Sequence, residues 1–300
     1  MSVTAVGSIA LDSLILPSGN HKDILGGSAS HFCTSCALYN TSVNLVGVVG
    51  EDFPQVHVEY FKDREVNTED LQIEHGKTFR WSGEYKADEM DQAITHDTQL
   101  NVFESFHPVL SKKSSKPRFL FLGNIHPGLQ REVAQKANAD LIIMDTMNLW
   151  IQNTRDQLIE AVREIDVLII NETEARDFTG KDRLIDAARV IQEIGPRFVV
   201  IKKGGEGAML VSEDDLFLCP SYPVKEVIDP TGAGDSFAGG FVGYLAEQDS
   251  LTNEHFRRAV VHGNVMGSLN VEGVGLTVLS TGNRKLIENR YNEYRKITSF

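Results

Sequence analysis

The run Asp229-Pro230-Thr231-Gly232-Ala233-Gly234-Asp235-Ser236-Phe237-Ala238-Gly239-Gly240-Phe241 holds the residue types best suited to chemistry. Pro230 punctuates the chain, Thr231 is a good helix N-cap, and the apolar periodicity that follows predicts a helix. A glycine-rich helix start leaves backbone N–H groups directed at one spot, with the positive end of the helix dipole behind them. An anion such as a phosphate suits that place. Asp235 adds a carboxylate in the first turn. It can serve as a general base beside bound phosphate, or it can favour the dipole while the glycines allow tight packing. The residues alone leave both readings open.

Rival motifs fail on a single position each. Gly76-Lys77-Thr78 ends like a P-loop, but Leu71 stands where the first glycine is required. Gly232 and Gly234 could begin a dinucleotide fingerprint, yet Phe237 fills the third position, where a bulky ring disturbs the helix–strand approach. Hydride transfer is therefore disfavoured. Cys33 and Cys36 share a predicted helix, no second Cys or His pair follows at metal spacing, and Cys219 is isolated. Small core residues are expected there, not a zinc site.

Several elements must position these groups. Apolar runs at 118–122, 140–145, 166–171 and 198–201 read as strands buried on both faces, and the segments at about 127–138, 151–164 and 182–194 read as covering helices. This alternation predicts a parallel sheet with βαβ crossovers. Asn124, Asp145 and Asn171 lie at strand ends, and ligands of open α/β sheets bind beyond such carboxyl ends. Asp145 and Asn148 are read there either as substrate or phosphate contacts or as solvated loop residues. Residues 12–25 and about 70–103 break the alternation and are expected to pair as a small separate sheet, a lid. Its Phe79, Trp81 and Tyr85 suit stacking on a nucleobase or sugar face, lid packing, or a seam between two subunits.

The chain of 300 residues is long enough to bury a core without staples, and its 29 basic and 42 acidic side chains give a formal charge of −13. Such acidity disfavours nucleic acid and anionic membrane surfaces as partners. Lys112, Lys113, Lys116 and Arg118 read as a solvated basic loop. No signal peptide and no membrane span is visible. With three cysteines only, a reducing cytoplasm is the expected location. There is no solenoid repeat and no low-complexity tract.

The segment 229–240 resembles the C-terminal signature of the PfkB, or ribokinase-like, carbohydrate and nucleoside kinases. Gly26-Gly27-Ser28-Ala29 followed by Val46 through Asp52 resembles their N-terminal signature, and Gly7 through Asp12 their first-strand substrate motif. The resemblance spans almost the whole chain. It implies one ribokinase-like domain over residues 1–300, a three-layer α/β/α fold with a mostly parallel sheet and a small β-sheet lid. It implies an ATP-dependent phosphotransferase acting on a hydroxyl, a primary CH2OH, of a sugar or nucleoside. Asp235 matches the catalytic base, and Gly232, Ala233 and Gly234 match the anion hole. Asp12, Gly26 and Gly27 match positions that hold substrate hydroxyls. His31 stands where many relatives have asparagine, and reads either as a substrate contact of altered chemistry or as a core histidine. Asn171 and Glu174 match an Asn-x-x-Glu element that organises magnesium and phosphate through water. Gly204 and Gly207 match a glycine turn near the nucleotide, with Lys202 where many relatives have threonine, and Asn264 matches an adenine-pocket position. Asp229 matches a residue that helps bind a monovalent cation, K+, in some members. The expected cofactors are thus ATP and Mg2+, with K+ at Asp229, and a homodimer through the lid is the expected assembly. The competing reading is a non-catalytic ligand-binding or regulatory protein on the same fold.

Overall fold

A computed structural model describes residues 2–299. Its main sheet has ten strands: β1 (Ser2–Val6), β4 (Ser42–Gly50), β5 (Val66–Asn67), β6 (Leu71–Glu74), β9 (Phe119–Leu122), β10 (Leu141–Asp145), β11 (Val167–Asn171), β12 (Phe198–Lys202), β13 (Ala208–Val211) and β14 (Leu216–Cys219). The small sheet has four: β2 (Ala10–Leu16), β3 (Gly19–Gly26), β7 (Phe79–Lys86) and β8 (Glu89–Gln99).

The main order is β14-β13-β12-β11-β10-β9-β1-β4-β5, with β6 also against β4. Every pair is parallel except β12 with β13 and β13 with β14. Strands buried on both faces must feed two cores by alternation. Val167 and Ile169 enter the core shared with helices Ser28–Cys36, Ala233–Ala246 and Asn253–Asn270, whereas Leu168 and Ile170 enter the core under Pro127–Lys136, Arg155–Val162 and Leu184–Ile194. The result is three layers, α/β/α, as the sequence led us to expect.

Two expected boundaries move. The predicted helix at 151–164 is two pieces, Asn148–Asn153 and Arg155–Val162, because Thr154 leaves helical geometry at φ −138° and ψ 37°. The lid segment expected from residue 70 begins later. Leu71–Glu74 pairs in parallel with Gly47–Gly50 of the main sheet, and Asn101–Ser105 is a 3-10 turn. The small sheet runs β3-β2-β7-β8, antiparallel at both outer pairs and parallel between β2 and β7. Its edge strand β8 is exposed along almost its whole length.

Candidate active site

The helix Ala233–Ala246 starts from a turn fixed by a buried carboxylate. Asp229, with no exposed surface, accepts the Thr231 N–H at 2.9 Å and the Gly275 N–H at 2.7 Å. Gly232 then takes φ +72°, a left-handed geometry that suits glycine. A Cβ there would also collide with the ring of His31. The glycine is thus required twice, once by the turn and once by its neighbour. The first amides of the helix are left without side-chain caps, as an anion-binding helix start needs.

His31 belongs to a network that closes on itself. The Asn270 amide nitrogen donates to Thr231 O at 2.8 Å, so its oxygen Oδ1 must be the acceptor on the other side. That oxygen accepts the Ser236 hydroxyl at 2.9 Å and His31 Nδ1–H at 3.0 Å. The tautomer follows: the proton sits on Nδ1 and Nε2 carries a lone pair, with no partner in the protein. Burial keeps the ring neutral, against the opposing pull of the Asn270 bond and the Asp229 charge. Only 1% of His31 is exposed, so it lies under the glycine turn.

Asp235 stands half-buried in the first helical turn. Burial, and after it the charge of Asp145, pushes its carboxyl up to about 7, while the Lys202 ammonium pulls the other way. Lys202, the last residue of β12, reaches across β11 to Asp145 at the end of β10, with Nζ 2.9 Å from Oδ2 and 3.2 Å from Oδ1. A Cβ on Gly234 would stand 2.8 Å from that same Nζ, so the ammonium lies against the amide turn. Burial alone would lower the Lys202 value, but Asp145, Glu174 and Asp235 outweigh it and the net shift is upward.

Asn171 and Glu174 form a capping box, with Asn171 Oδ1 accepting the Glu174 N–H at 2.8 Å and Glu174 Oε2 accepting the Asn171 N–H at 3.0 Å. Burial raises the Glu174 carboxyl to about 7, and Asp145 adds to this; Lys202 and the Asn171 and Asn148 backbone N–H groups oppose it. Asp12 comes from the other end of the chain. It is 4% exposed, lies where a Gly26 Cβ would be, and accepts the Gly27 N–H. Burial, then the charges of Asp229 and Asp235, lifts it to about 7.

The structure therefore brings Asp12, Gly26, Gly27, His31, Asp229, Gly232–Gly234 and Asp235 together, with Asn171 and Lys202 at the adjoining strand ends and Glu174 in the first turn of the helix Glu172–Thr179 that follows Asn171. Gly204 and Gly207 form the turn after β12, where Lys203 N–H donates to Gly207 O at 2.7 Å. Asn264 differs in kind from the rest: its amide donates to Cys219 Sγ at 3.1 Å and Pro220 O at 3.4 Å, tying helix Asn253–Asn270 to the end of β14. Cys33, Cys36 and Cys219 are buried free thiols. The sequence reading missed the roles of Asn270 and of the Lys202–Asp145 pair. Asn270 closes a helix without any motif, and no spacing rule marks a lysine that crosses over a neighbouring strand.

The Glu174 carboxylate is an oxygen donor of the kind a hard cation such as Mg2+ takes, whereas Asp145 is already paired with Lys202. Among the described residues no three His, Cys, Asp or Glu side chains converge as a ready metal cage, so such an ion would be held largely by water and a ligand's phosphates. Among the same residues no helix is long and apolar enough to cross a membrane.

Comparison with known proteins bears on the fold and the family. The chain is 29% identical over 248 residues to a cytidine kinase of Thermococcus kodakarensis, covering 81% of this chain and 87% of that protein. It is 23% identical over 265 residues to a nucleoside kinase of Methanocaldococcus jannaschii, covering 80% and 82%. The solved structure of a nucleoside kinase from that organism superposes with a TM-score of 0.79 at 19% identity, over 97% of this chain and 98% of the other. An aminoimidazole riboside kinase from Salmonella enterica, complexed with aminoimidazole riboside and an ATP analog, gives 0.78 at 16% identity, over 97% and 100%. The family model for pfkB family carbohydrate kinases matches residues 12–281, nearly the full length, and the chain belongs to that family.

Proposed function

We propose that the protein transfers the terminal phosphoryl group of ATP to a hydroxyl, a primary CH2OH, of a nucleoside or sugar, with Asp235 as general base. The observation that carries this reading is the position of Asp235. Its carboxyl, held at about 7, sits at an uncapped helix start beside an ammonium and opposite the Asp12 carboxyl. A base is most effective when its acidity lies near the working pH.

In this reading Asp12 and the Gly26-Gly27 backbone hold the acceptor's hydroxyls, and Asp235 takes the proton from the reacting one. The amides of Gly232, Ala233 and Gly234 face the oxygens of the moving phosphoryl group, where charge builds as donor and acceptor come into line. Lys202 sets positive charge beside Gly234. Gly204, Gly207 and Asn264 shape the nucleotide's end, Asn264 by fixing the backbone at Pro220. Mg2+ held through water by Asn171 and Glu174 would shield the β- and γ-oxygens. Asp229 remains the candidate ligand for K+, although two backbone N–H groups already use its oxygens. The small sheet excludes water from the cleft.

ADP release measured with MgATP and a panel of nucleosides, pentoses, hexoses and sugar phosphates tests the reading. Release that depends on one acceptor class, and that is lost in Asp235→Asn, is the expected result. Stabilisation by MgATP without ADP release for any acceptor would favour the non-catalytic alternative.

A further inference from the structure

We propose that the side-chain amide of Asn270 and the backbone N–H of Gly275 do for the glycine turn what a bound monovalent cation would do, so that phosphoryl transfer by this chain needs no K+. The inference rests on the kinase reading above. It concerns the base of the glycine turn, where Asp229 is the ligand that a K+ ion would take first.

A cation held by a protein needs oxygen lone pairs directed at one point, in place of its hydration shell. The oxygens at the base of the turn are met by N–H donors instead. Asp229 Oδ1 accepts the Thr231 N–H at 2.9 Å, and Oδ2 accepts the Gly275 N–H at 2.7 Å. The carbonyl of Thr231 accepts the Asn270 amide at 2.8 Å. Val271 O accepts the N–H groups of Ile228 and Asp229 at 2.7 and 3.3 Å. An ion bound by Asp229 Oδ2 and Thr231 O would therefore face the hydrogens of Gly275 and Asn270, each the positive end of a dipole, and be repelled by both.

These donors are fixed. A flipped Asn270 would set its oxygen against the Thr231 carbonyl, two acceptors in opposition, and would withdraw the oxygen that the Ser236 hydroxyl and His31 Nδ1–H use at 2.9 and 3.0 Å. Gly275 is held at φ +53°, a left-handed geometry that suits glycine. The charge of Asp229, which has no exposed surface, is met by its N–H donors and by the positive end of helix Ala233–Ala246. Asn270, the last residue of helix Asn253–Asn270, is thus a positioning residue: it holds the Thr231 carbonyl, and through it the direction of the amides that follow.

The test measures ADP release from MgATP, with an acceptor that the panel above identifies, in K+, Na+ and tetramethylammonium salts at one ionic strength. Thermal unfolding is followed in the same salts. For the parent chain, kcat/KM is expected to agree within about twofold across the three, with no melting shift specific to K+. Asn270→Asp puts an oxygen where the amide donor stood. It is expected to lower kcat about tenfold to a hundredfold in tetramethylammonium and to recover most of that in K+, a rescue that a merely structural residue would not show. A parent whose kcat/KM rises more than about fivefold in K+ over tetramethylammonium, or whose melting temperature rises saturably with K+ alone, overturns the inference whether or not the variant folds. An Asn270→Asp variant as active as the parent in tetramethylammonium overturns it as well, because the amide would then position nothing. If no acceptor yields ADP, the kinase reading fails separately, and the unfolding series still decides whether the turn binds a cation.

Discussion

Asp235→Asn separates a base from a helix-end charge, and the structure gives the change an unusual sign. Asparagine keeps the size but can neither ionise nor take a proton. The folded carboxyl is held at about 7 by burial and by Asp145, against an ordinary aspartate value of 3.8. Between those values the folded chain retains a proton that the unfolded chain has lost. Stability tied to this group is therefore complete below the lower value and is lost as pH rises through the higher one. The slope is about 1.4 kcal/mol per pH unit for one such group. Because Asp235 is only half-buried, solvent screening reduces the total to about 1–3 kcal/mol. At about pH 8 the asparagine variant should consequently be more stable than the parent without ligand, and at about pH 5 the gap should shrink. Turnover should move the opposite way, with kcat down by about 10²–10⁴, equivalent to about 3–5 kcal/mol at the barrier. ATP affinity should change less than about threefold, since a negative charge near its phosphates is removed. Thermal unfolding at both pH values and ADP release on the same samples make the measurement. A variant that melts earlier at both and turns over normally would show Asp235 to be a helix cap only, and would refute the reasoning.

Lys202→Met should destabilise the fold by about 3–5 kcal/mol by leaving Asp145 buried without its partner, and Lys202→Met with Asp145→Asn should recover most of that in a denaturant titration. Because Lys202 holds the Asp235 carboxyl down, the acid limb of kcat against pH should move upward in Lys202→Met; an unmoved limb would sever the two groups. His31→Asn should alter acceptor preference and acceptor KM while ATP affinity stays within about twofold, because the lone pair on Nε2 is replaced by an amide. Unchanged acceptor kinetics with lower stability would assign His31 to packing beneath Gly232. Light scattering should find a dimer joined through the exposed edge of β8, and a fully active monomer at micromolar concentration would exclude it.

The α/β/α architecture was legible because strands buried on both faces leave uninterrupted apolar runs, as in Val167 through Ile170, and the glycine-rich turn was legible because few side chains fit it. The lid boundary was misjudged at Leu71–Glu74, where a short strand joins the edge of the main sheet and carries no periodicity of its own. Asn-x-x-Glu shows the limit at the site: the spacing that suggests a phosphate element is also a capping box, and the structure contains the box. His31 was visible as a residue, but its environment was not. Asn270, which sets its tautomer, sits far along the chain and belongs to no motif. The face on which Trp81 stands needed the parallel register of β2 with β7, a pairing of distant segments that local pattern does not specify.

The bond between His31 and Asn270 joins residues 239 positions apart. The glycine turn rests on one of them, and its carbonyl at Thr231 is held by the other. During synthesis the N-terminal strands, the small sheet and the central βα units can all emerge and begin to fold before helix Asn253–Asn270 has left the ribosome. The turn has no support until that helix docks. Under the proposed kinase reading, an unfinished chain therefore has no organised place for a phosphate, and in the presence of ATP it lacks the means to spend it on water. Completion of the chain and completion of the site are nearly the same event, so a C-terminally truncated product should be inert toward ATP and not wasteful of it.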